Sequence, residues 1–510
     1  MKKALCIISC FCLLWIFVGC TNKVEIPVGQ EATKPFTVDK NLANNAIFQA
    51  NQSLEIGGTS QKGVVIVLTL LDSRGFTVNK SYCITDNNGN WKITLEAPKA
   101  SEKAYSIIIN DSKEKYQSTF SNLRFGEVWL FLGDPIDGGE SKIEKDRQKT
   151  AENPNHMFYI EGTWVVASKE ISMLGQNLID QMIENDYASN KTPIGIVFAT
   201  AEEPSNAYSW LSREIIDSRT PIKKYLEANN LYKDEQATLQ PNDMAYYSQT
   251  KLQEVEKMTF SNIVWHQGSR DFLDYNQKNS NFVYEYSQVL FAVLSELVEK
   301  FSSVQNILVM QESSSFEENI EQLRKVQMNM CRYFSKCKIV TTYDINVVVE
   351  KGTDTIISKN DIATFDKEVE IKGLDYQLLT KRLVNLSKGK NAIEEVRNIL
   401  QVYNDKKEVT SVKLIFNDDV LFDEVNVEKI KGLKFLDEND EEIQLKYEIM
   451  NNQIIIHLVE EAHEVVDEKV ETILHHISKI AYAQDSFIYD NNLSVNGIAI
   501  CPFEFAIEDK

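Results

Sequence analysis

Four acidic side chains lie in two short segments that each follow an apolar stretch. Asp134 and Asp137 follow one stretch, and Glu202 and Glu203 follow another. If both stretches are neighbouring strands of one sheet, the four carboxylates converge on one mouth. Paired carboxylates perform acid–base chemistry on glycosides or bind a hard cation such as Ca²⁺. The other interpretation is a set of solvated loop carboxylates, so the four are candidate ligand-binding residues and no metal site is predicted.

A second group of candidates ends a further apolar stretch. Trp265, His266 and Gln267 close the stretch that begins at Asn262. In open α/β sheets, ligands bind outside the carboxyl ends of the strands. His266 could contact a sugar there, or it could simply occupy the space of a tyrosine at this position without contacting a ligand. Trp265 offers an aromatic face for stacking on a sugar, with core packing as the other role open to it.

Nucleophilic catalysis by a hydroxyl needs a base within hydrogen-bond reach. Ser205 and Ser269 lie in the same loops as the candidates above, but none of the six histidines falls between residues 267 and 456. Lys372 acts as a base only where burial lowers its pKa, and nothing in the sequence indicates such a site. The four cysteines that follow Cys20 show no CxxC or Cys/His spacing, so neither zinc nor another cofactor is predicted.

The elements that would position these candidates alternate between strand and helix over residues 125–395. Apolar strands such as 128–132 are interleaved with amphipathic helices such as 284–301. This alternation is typical of a parallel sheet covered on both faces. Residues 45–124 and 408–510 contain short strands separated by turns, which predict an N-terminal β-sandwich and a C-terminal β domain.

The composition excludes several classes of protein. Of the 510 residues, 43% are hydrophobic and 25% are charged, which is typical of globular domains and excludes a disordered or low-complexity chain. The net charge of −21 argues against a nucleic-acid-binding protein, because a phosphate backbone needs a basic face. No nucleic-acid partner is therefore predicted.

The N-terminus predicts the compartment. Two lysines precede an apolar run that ends in Gly19-Cys20, which is typical of a signal peptide over residues 1–19. The tetrapeptide Phe17-Val18-Gly19-Cys20 resembles a bacterial lipobox, in which the cysteine becomes the lipidated first residue of the mature chain. That resemblance implies a lipid-anchored protein of the bacterial cell envelope with a polar tether over 20–44. Thr21, in place of an aspartate, favours the outer membrane; an ordinary secreted protein with an incidental cysteine is the alternative.

Five sequence segments occur in an order that matches a known family. From the N-terminus they are Asn87–Leu95 (NNGNWKITL), Phe125–Gly133 (FGEVWLFLG), Thr192–Ile196 with Trp210–Ser212, Ile263–Gly268 (IVWHQG), and Ile480–Ala483 with the residues up to Phe503. Together they resemble the sialate O-acetylesterases, which are carbohydrate esterases of the SGNH-hydrolase fold. The resemblance implies an SGNH-hydrolase-like, flavodoxin-like α/β domain over 125–395, flanked by the two β domains.

The resemblance also implies a catalytic serine, a histidine base and an aspartate that orients the histidine. Where the family has Gly-Gln-Ser-Asn-Met, this chain has Gly133-Asp134-Pro135-Ile136-Asp137, so Pro135 replaces the nucleophile and removes a backbone N–H. Where the family has Asp-x-His before a closing helix, this chain has Glu370-Ile371-Lys372. No intact catalytic triad is therefore predicted.

Three functions remain open at this point. The first is a cell-envelope lipoprotein whose catalytically degenerate scaffold holds a glycan or a partner protein. The second is an active carbohydrate (sialate) O-acetylesterase that works through a rearranged site, and the third is a structural component of a surface glycan-uptake assembly. The fold alone does not choose between them, because function resides in the site. A hydroxyl or thiol within hydrogen-bond reach of His266 or Lys372 would favour the enzyme.

Overall fold

The computed structural model describes most of the chain. The described residues are 25–136, 153–278, 282–313, 319–353, 355–357, 368–389, 396–416, 430, 432–450, 452–466, 469–484, 494–495, 498–500 and 502–507. The predicted signal peptide, Cys20 and Asp137 lie outside them. Within the described residues, no helix is long and apolar enough to cross a membrane.

Seven strands form the N-terminal part. They are β1 (Ile47–Gln49), β2 (Ser53–Thr59), β3 (Val65–Asp72), β4 (Thr77–Ile84), β5 (Asn90–Glu96), β6 (Ser101–Asp111) and β7 (Gln117–Gly133). β4, β3, β6 and β7 pair in that order as an antiparallel sheet, β1 runs parallel to β7, and β2 pairs with β5. In β5 the alternation expected of a half-buried strand is present, since Trp91, Ile93 and Leu95 are buried and their neighbours are exposed.

The residues just before β1 pack against these strands. Ala32, Phe36 and Leu42 are buried in the core that the N-terminal strands share. Residues 30–44 therefore belong to the folded part, although the sequence assigns 20–44 to a polar tether. Three apolar side chains spaced along a polar segment are enough to hold it against a sheet, and this sparse pattern is easily taken for a linker.

β7 is long enough to belong to two sheets. Its first half pairs with β6, and its second half, from Glu127 to Gly133, pairs with strands of the central sheet. The boundary predicted between residues 124 and 125 lies within this strand. Because β7 is continuous, it links the N-terminal strands directly to the central sheet. The N-terminal strands also share a hydrophobic core with one face of that sheet.

The central sheet is parallel apart from one edge strand. Its further strands are β8 (His156–Ile160), β9 (Thr163–Val166), β10 (Ile194–Thr200), β11 (Asn262–His266), β12 (Asn306–Met310) and β13 (Cys337–Val340). The order is β9-β8-β10-β7-β11-β12-β13, and only β9 runs antiparallel to its neighbour. Counted from β7, the strands β10, β7, β11, β12 and β13 have the flavodoxin-like order 2-1-3-4-5.

Helices cover both faces of this sheet. They are α1 (Met173–Glu184), α2 (Arg213–Ser218), α3 (Thr220–Ala228), α4 (Gln253–Val255), α5 (Ser269–Lys278), α6 (Phe282–Lys300), α7 (Ile320–Cys331) and α8 (Tyr376–Ser387), with a 3₁₀ turn at Ala207–Trp210 and a π-helical turn at Ser248–Leu252. α1 and α8 share a core with one face, and α6 and α7 share a core with the other. The predicted mixed α/β fold with a central parallel sheet is confirmed.

Further strands follow β13. They are β14 (Asn346–Glu350), β15 (Val369–Leu374), β16 (Asn398–Tyr403), β17 (Val409–Ile415), β18 (Leu433–Leu436), β19 (Glu442–Ile443), β20 (Lys446–Met450), β21 (Gln453–His457), β22 (Val459–Val466), β23 (Lys469–Leu474), β24 (Lys479–Tyr482), β25 (Ser494–Val495), β26 (Ile498–Ala499) and β27 (Phe503–Ala506). β14 and β15 form a hairpin, and two four-stranded sheets, β16-β17-β21-β20 and β19-β18-β24-β27, enclose a separate core. The predicted extra β sheets are therefore present.

Candidate functional site

The strand order creates a crevice at the carboxyl ends of β7 and β11. The strands that follow β7 in the chain, β8 to β10, lie to one side of it in the strand order. The strand that follows β11, which is β12, lies to the other side. Open α/β sheets bind ligands at such a reversal. Gly133 and His266 are paired there in register, so Asp134 and Gln267 follow them at the same edge. We call this the strand-end crevice.

Gly133 shapes the floor of the crevice. Its φ is +92°, and a Cβ placed on it would lie 1.9 Å from the backbone oxygen of His266. The Asp134 N–H donates a hydrogen bond to that same oxygen at 2.5 Å. Only glycine tolerates both the positive φ and the close approach. The resulting turn directs the Asp134 side chain into the protein.

Asp134 is buried and bound to a loop serine. Its Oδ1 accepts hydrogen bonds from the Ser205 N–H at 2.7 Å and from the Ser205 hydroxyl at 2.5 Å. The Ser205 hydroxyl in turn accepts a hydrogen bond from the Trp210 indole N–H at 2.9 Å. Asp134 Oδ2 has no hydrogen-bond partner among the described residues. Ser205 is therefore held as a structural hydroxyl between an acid and an indole.

Burial raises the pKa of Asp134 to about 8, against the hydrogen bonds from Ser205 that lower it. The acidic side chains of Asp271 and Glu312 raise it further. A carboxyl group in this environment keeps its proton at neutral pH, because ionisation would place a charge in a low-dielectric interior. Asp134 is thus a neutral buried acid and not a solvated carboxylate at the mouth of a cleft.

Gln267 connects the loop that contains Ser205 to a second buried acid, Asp271. Its Nε2 donates to the Ser205 carbonyl at 2.7 Å and to Asp271 Oδ2. The Tyr286 hydroxyl and Gln327 Nε2 both donate to the Gln267 carbonyl. Burial raises the pKa of Asp271 to about 7. The Gln267 amide is used inside the protein, so it is not exposed for the ligand contact that the sequence proposes.

The aromatic candidates are also part of the core. Trp265 is 1% exposed, and its ring packs edge-on against Trp210 at 5.5 Å between centroids. Trp210 stacks on Tyr247 at 5.0 Å. Core packing, the second of the two roles considered for Trp265, is the one that the structure shows.

Glu202 and Glu203 face solvent, unlike Asp134. Glu202 Oε1 lies 2.7 Å from Lys251 Nζ. Burial raises the pKa of Tyr247 to about 12, and the charges of Glu202, Asp134 and Glu203 add to the shift. These side chains do not share an open mouth, because Asp134 is enclosed. Within the described part of the chain, no group of three or more histidine, cysteine or acidic side chains is placed to hold a metal ion.

His266 is half-buried at the end of β11. Its Nδ1 lies 3.4 Å from the Asp134 carbonyl oxygen, which is long for a hydrogen bond. Among the described residues, no hydroxyl or thiol lies within hydrogen-bond distance of its ring. His266 therefore stays a candidate for ligand contact, without a nucleophile that it could activate.

The positions that match the family's triad hold no paired nucleophile and base in the described residues. Pro135 is half-buried after β7. Lys372 Nζ lies 2.8 Å from Glu370 Oε1 on the β14–β15 hairpin, and this hydrogen bond lowers the pKa of Glu370. α8 begins two residues after β15, and its Tyr376 hydroxyl donates to the Ile136 carbonyl at 3.2 Å. The closing helix thus begins beside the segment after β7.

A second hydroxyl–carboxyl pair, besides Ser205 and Asp134, lies near the crevice. The Ser269 hydroxyl donates to Glu312 Oε2 at 2.8 Å, and both side chains are half-buried. Ser269 starts α5 and Glu312 follows β12. A carboxylate that accepts a serine proton is the minimum arrangement for a nucleophile and its base.

Sequence reasoning did not identify Asp271 and Tyr286, or the internal role of Ser205. These residues come from a helix, a second helix and a loop, and no local spacing joins them. The one available signal is that Asp271 lies four residues after Gln267, at the start of a helix. That spacing places both on one helical face only if the turn before the helix is tight.

Comparison with known proteins supports the fold. No protein-family model matches the chain, and no curated protein matches it. The structure is similar to that of a carbohydrate acetylesterase from Xanthomonas citri, with a TM-score of 0.66 and 13% sequence identity over 92% of this chain and 99% of that one. An acetyl xylan esterase from Butyrivibrio proteoclasticus has a TM-score of 0.23 and 9% identity over 62% of this chain and 90% of that one, too low to support an argument. The first likeness confirms the predicted carbohydrate-esterase-like scaffold.

Proposed function

We propose that this chain is a cell-envelope lipoprotein that uses a carbohydrate-esterase scaffold to hold a glycan or a surface protein, without hydrolysing it. One observation carries the proposal. In the segment that resembles the family's nucleophile motif, Pro135 stands where the family has serine, and the nearby His266 ring has no hydroxyl or thiol within reach among the described residues. A proline has neither a nucleophilic group nor a backbone N–H to stabilise an oxyanion.

The buried acids support the same proposal. An acyl-transfer site needs donors directed at a developing negative charge. Here Asp134 and Asp271 are enclosed acids whose pKa values burial raises. Their carboxyl oxygens accept hydrogen bonds from Ser205 and Gln267, so these donors are already used inside the protein.

A second candidate function is an active carboxylic-ester hydrolase of the sialate O-acetylesterase type with a rearranged site. The hydrogen bond from Ser269 to Glu312 is the observation that favours it. A serine and a carboxylate alone lack the histidine base that the family's mechanism uses between them. This second candidate is therefore less well supported than the binding function.

The two functions differ in one assay. We expect the purified mature chain, prepared without its lipid, to release no acetate above background from para-nitrophenyl acetate or from an O-acetylated sialoside. Ser269→Ala should behave identically to the wild-type chain, and so should Pro135→Ala.

Turnover that disappears in Ser269→Ala would establish the rearranged esterase. Turnover that disappears only in Pro135→Ala would show that the strand-end crevice is catalytic and does not use Ser269 as its nucleophile. In either case the degenerate-scaffold proposal would be wrong.

The lipid anchor is tested separately. The lipobox-like Phe17-Val18-Gly19-Cys20 predicts that cells expressing the full chain incorporate labelled palmitate into it, and that the protein fractionates with the outer membrane. Cys20→Ser should abolish the label, because no thiol remains at the modified position. Equal labelling of both forms, or secretion of the wild-type chain into the medium, would exclude the anchor.

A further inference from the structure

We propose that a cleft bordered by Glu202 and Tyr246 binds a neutral or amino sugar. The inference rests on the proposed glycan-binding function and assigns it a site. The cleft has a volume of about 650 Å³. It lies where the segment 39–41, the β8–β9 turn at Glu161 and Gly162, and the segment 246–257 meet. We call it the lateral cleft.

A buried acceptor without a partner lies in its wall. Asn41 is 4% exposed and lines the lateral cleft. Its Nδ2 donates to the Glu55 carbonyl at 3.2 Å, while its Oδ1 has no hydrogen-bond partner among the described residues. Buried acceptors are nearly always satisfied, and leaving one unpaired destabilises the fold. This wall of the cleft therefore carries a polar group that the described part of the fold does not itself satisfy.

Further polar groups in the wall are available for a ligand. Gln249 and Gln253 are exposed, and neither amide makes a side-chain hydrogen bond within the described residues. An amide both donates and accepts, which matches the dual character of a sugar hydroxyl. Gln249 belongs to the π-helical turn Ser248–Leu252, and Ala245 just before it has a φ of +62°. π-helical turns and left-handed non-glycine residues are both uncommon and occur often at functional sites.

An aromatic ring is fixed beside these amides. Tyr246 lines the lateral cleft and is half-buried. Its ring packs edge-on against Tyr247 at 5.0 Å, and Tyr247 stacks on Trp210 in the core. The Tyr246 hydroxyl makes no hydrogen bond to any described residue. A rigid tyrosine with an open hydroxyl can contact the CH face of a sugar and donate to its oxygens.

The charge of the cleft selects the class of sugar. Five acidic and three basic side chains line it, a net charge of −2, from Asp39, Glu161, Glu202, Glu254 and Glu256 against Lys40, Lys251 and Lys257. Two of the lysines are already paired, Lys251 with Glu202 and Lys257 with Asp39. An excess of carboxylates repels the carboxylate of a sialic acid. The cleft therefore fits an uncharged or cationic sugar.

Binding of defined oligosaccharides to the mature chain tests the site. Calorimetric titration would use xylo-oligosaccharide, N-acetylglucosamine oligosaccharide, chitosan oligosaccharide and sialyllactose. We expect at least one of the first three to bind, and sialyllactose not to bind. Tyr246→Ala and Gln249→Ala should each weaken that binding by roughly tenfold or more, as expected for residues at the centre of a contact. Tyr333→Ala, at a 70%-exposed tyrosine of another surface, is the matched control and should bind as the wild type does.

The outcomes separate this inference from the function it rests on. If none of the four sugars binds, both the glycan-binding function and the lateral cleft are wrong. If a sugar binds with equal affinity to the wild type, Tyr246→Ala and Gln249→Ala, the function stands and the cleft is wrong; loss in His266→Ala would then place the sugar in the strand-end crevice. Tighter binding of sialyllactose than of the other three would overturn the charge argument.

Discussion

Replacing Arg382 with alanine is expected to lower the free energy of unfolding by about 3–5 kcal/mol. The Arg382 guanidinium is 1% exposed and makes two hydrogen bonds of 2.7 Å to the Asp344 carboxylate. It also donates to the Thr341 carbonyl. Alanine would remove these two hydrogen bonds from the buried Asp344 carboxylate and leave an empty space beside it, and the loss of a buried charge partner gives the effect its size. Urea unfolding followed by circular dichroism measures it.

An exposed ion pair provides the matched control. Lys351 Nζ lies 2.6 Å from Glu368 Oε2, with the two side chains 61% and 77% exposed. Lys351→Ala should change the unfolding free energy much less than Arg382→Ala, because solvent already screens that pair. Replacing both members of the buried pair, as Arg382→Met with Asp344→Leu, should recover most of the loss. A small effect of Arg382→Ala alone, or no recovery in the double variant, would contradict the argument.

Replacing Asp134 with asparagine is expected to stabilise the protein at pH 8 and to flatten its pH dependence. Asparagine keeps an oxygen for the Ser205 N–H and hydroxyl, and it cannot ionise. The wild-type carboxyl is buried, and burial raises its pKa to about 8. The variant therefore retains the contacts of the neutral acid and removes its titration.

The sign of the pH effect follows from the two states of Asp134. In the unfolded chain the carboxyl loses its proton near pH 3.8, whereas the folded protein keeps it up to about pH 8. Below pH 3.8 both states are protonated and the folded state has its full stability. Between the two values only the unfolded state releases a proton, so stability falls by about 1.4 kcal/mol per pH unit. The loss levels off above about pH 8.

Urea midpoints measured from pH 5 to pH 9 test this expectation. Asp271→Asn should flatten the profile in the same direction up to about pH 7, since burial also raises the pKa of Asp271. Asp72→Asn is the control. A hydrogen bond from the Phe76 N–H lowers the pKa of Asp72, so its titration changes stability only at acid pH and the variant should leave the slope between pH 5 and pH 9 unchanged. An unchanged alkaline loss of stability in Asp134→Asn would show that Asp134 is ionised in the folded protein.

The local pattern of the sequence was sufficient for the secondary structure that carries the site. Continuous apolar runs at 128–132 and 307–310 lie within β7 and β12, and the amphipathic run at 284–301 coincides with most of α6. These signals are local, because an element that buries one face or both shows the burial as a regular spacing of apolar residues along the sequence. The few apolar residues of the segment 30–44 are too widely spaced to form such a pattern, so the sequence predicts a tether there.

The amino-acid sequence also predicts which catalytic groups are missing. The resemblance of Phe125–Gly133 to the sialate O-acetylesterases predicts that Pro135 occupies the nucleophile position, and the positions of the six histidines exclude one between residues 267 and 456. The second statement follows from residue identity alone, whereas the first rests on the resemblance.

Which acidic side chains are buried depends on tertiary packing. Asp134 and Glu202 both follow parallel strands, yet the turn at Gly133 encloses one while the other faces solvent beside Lys251. The lateral cleft joins residues near 40 with residues near 250, and the crevice network joins β7, a loop and two helices. Contacts between residues so distant in the chain leave no local period, because they depend on how complete elements pack against one another.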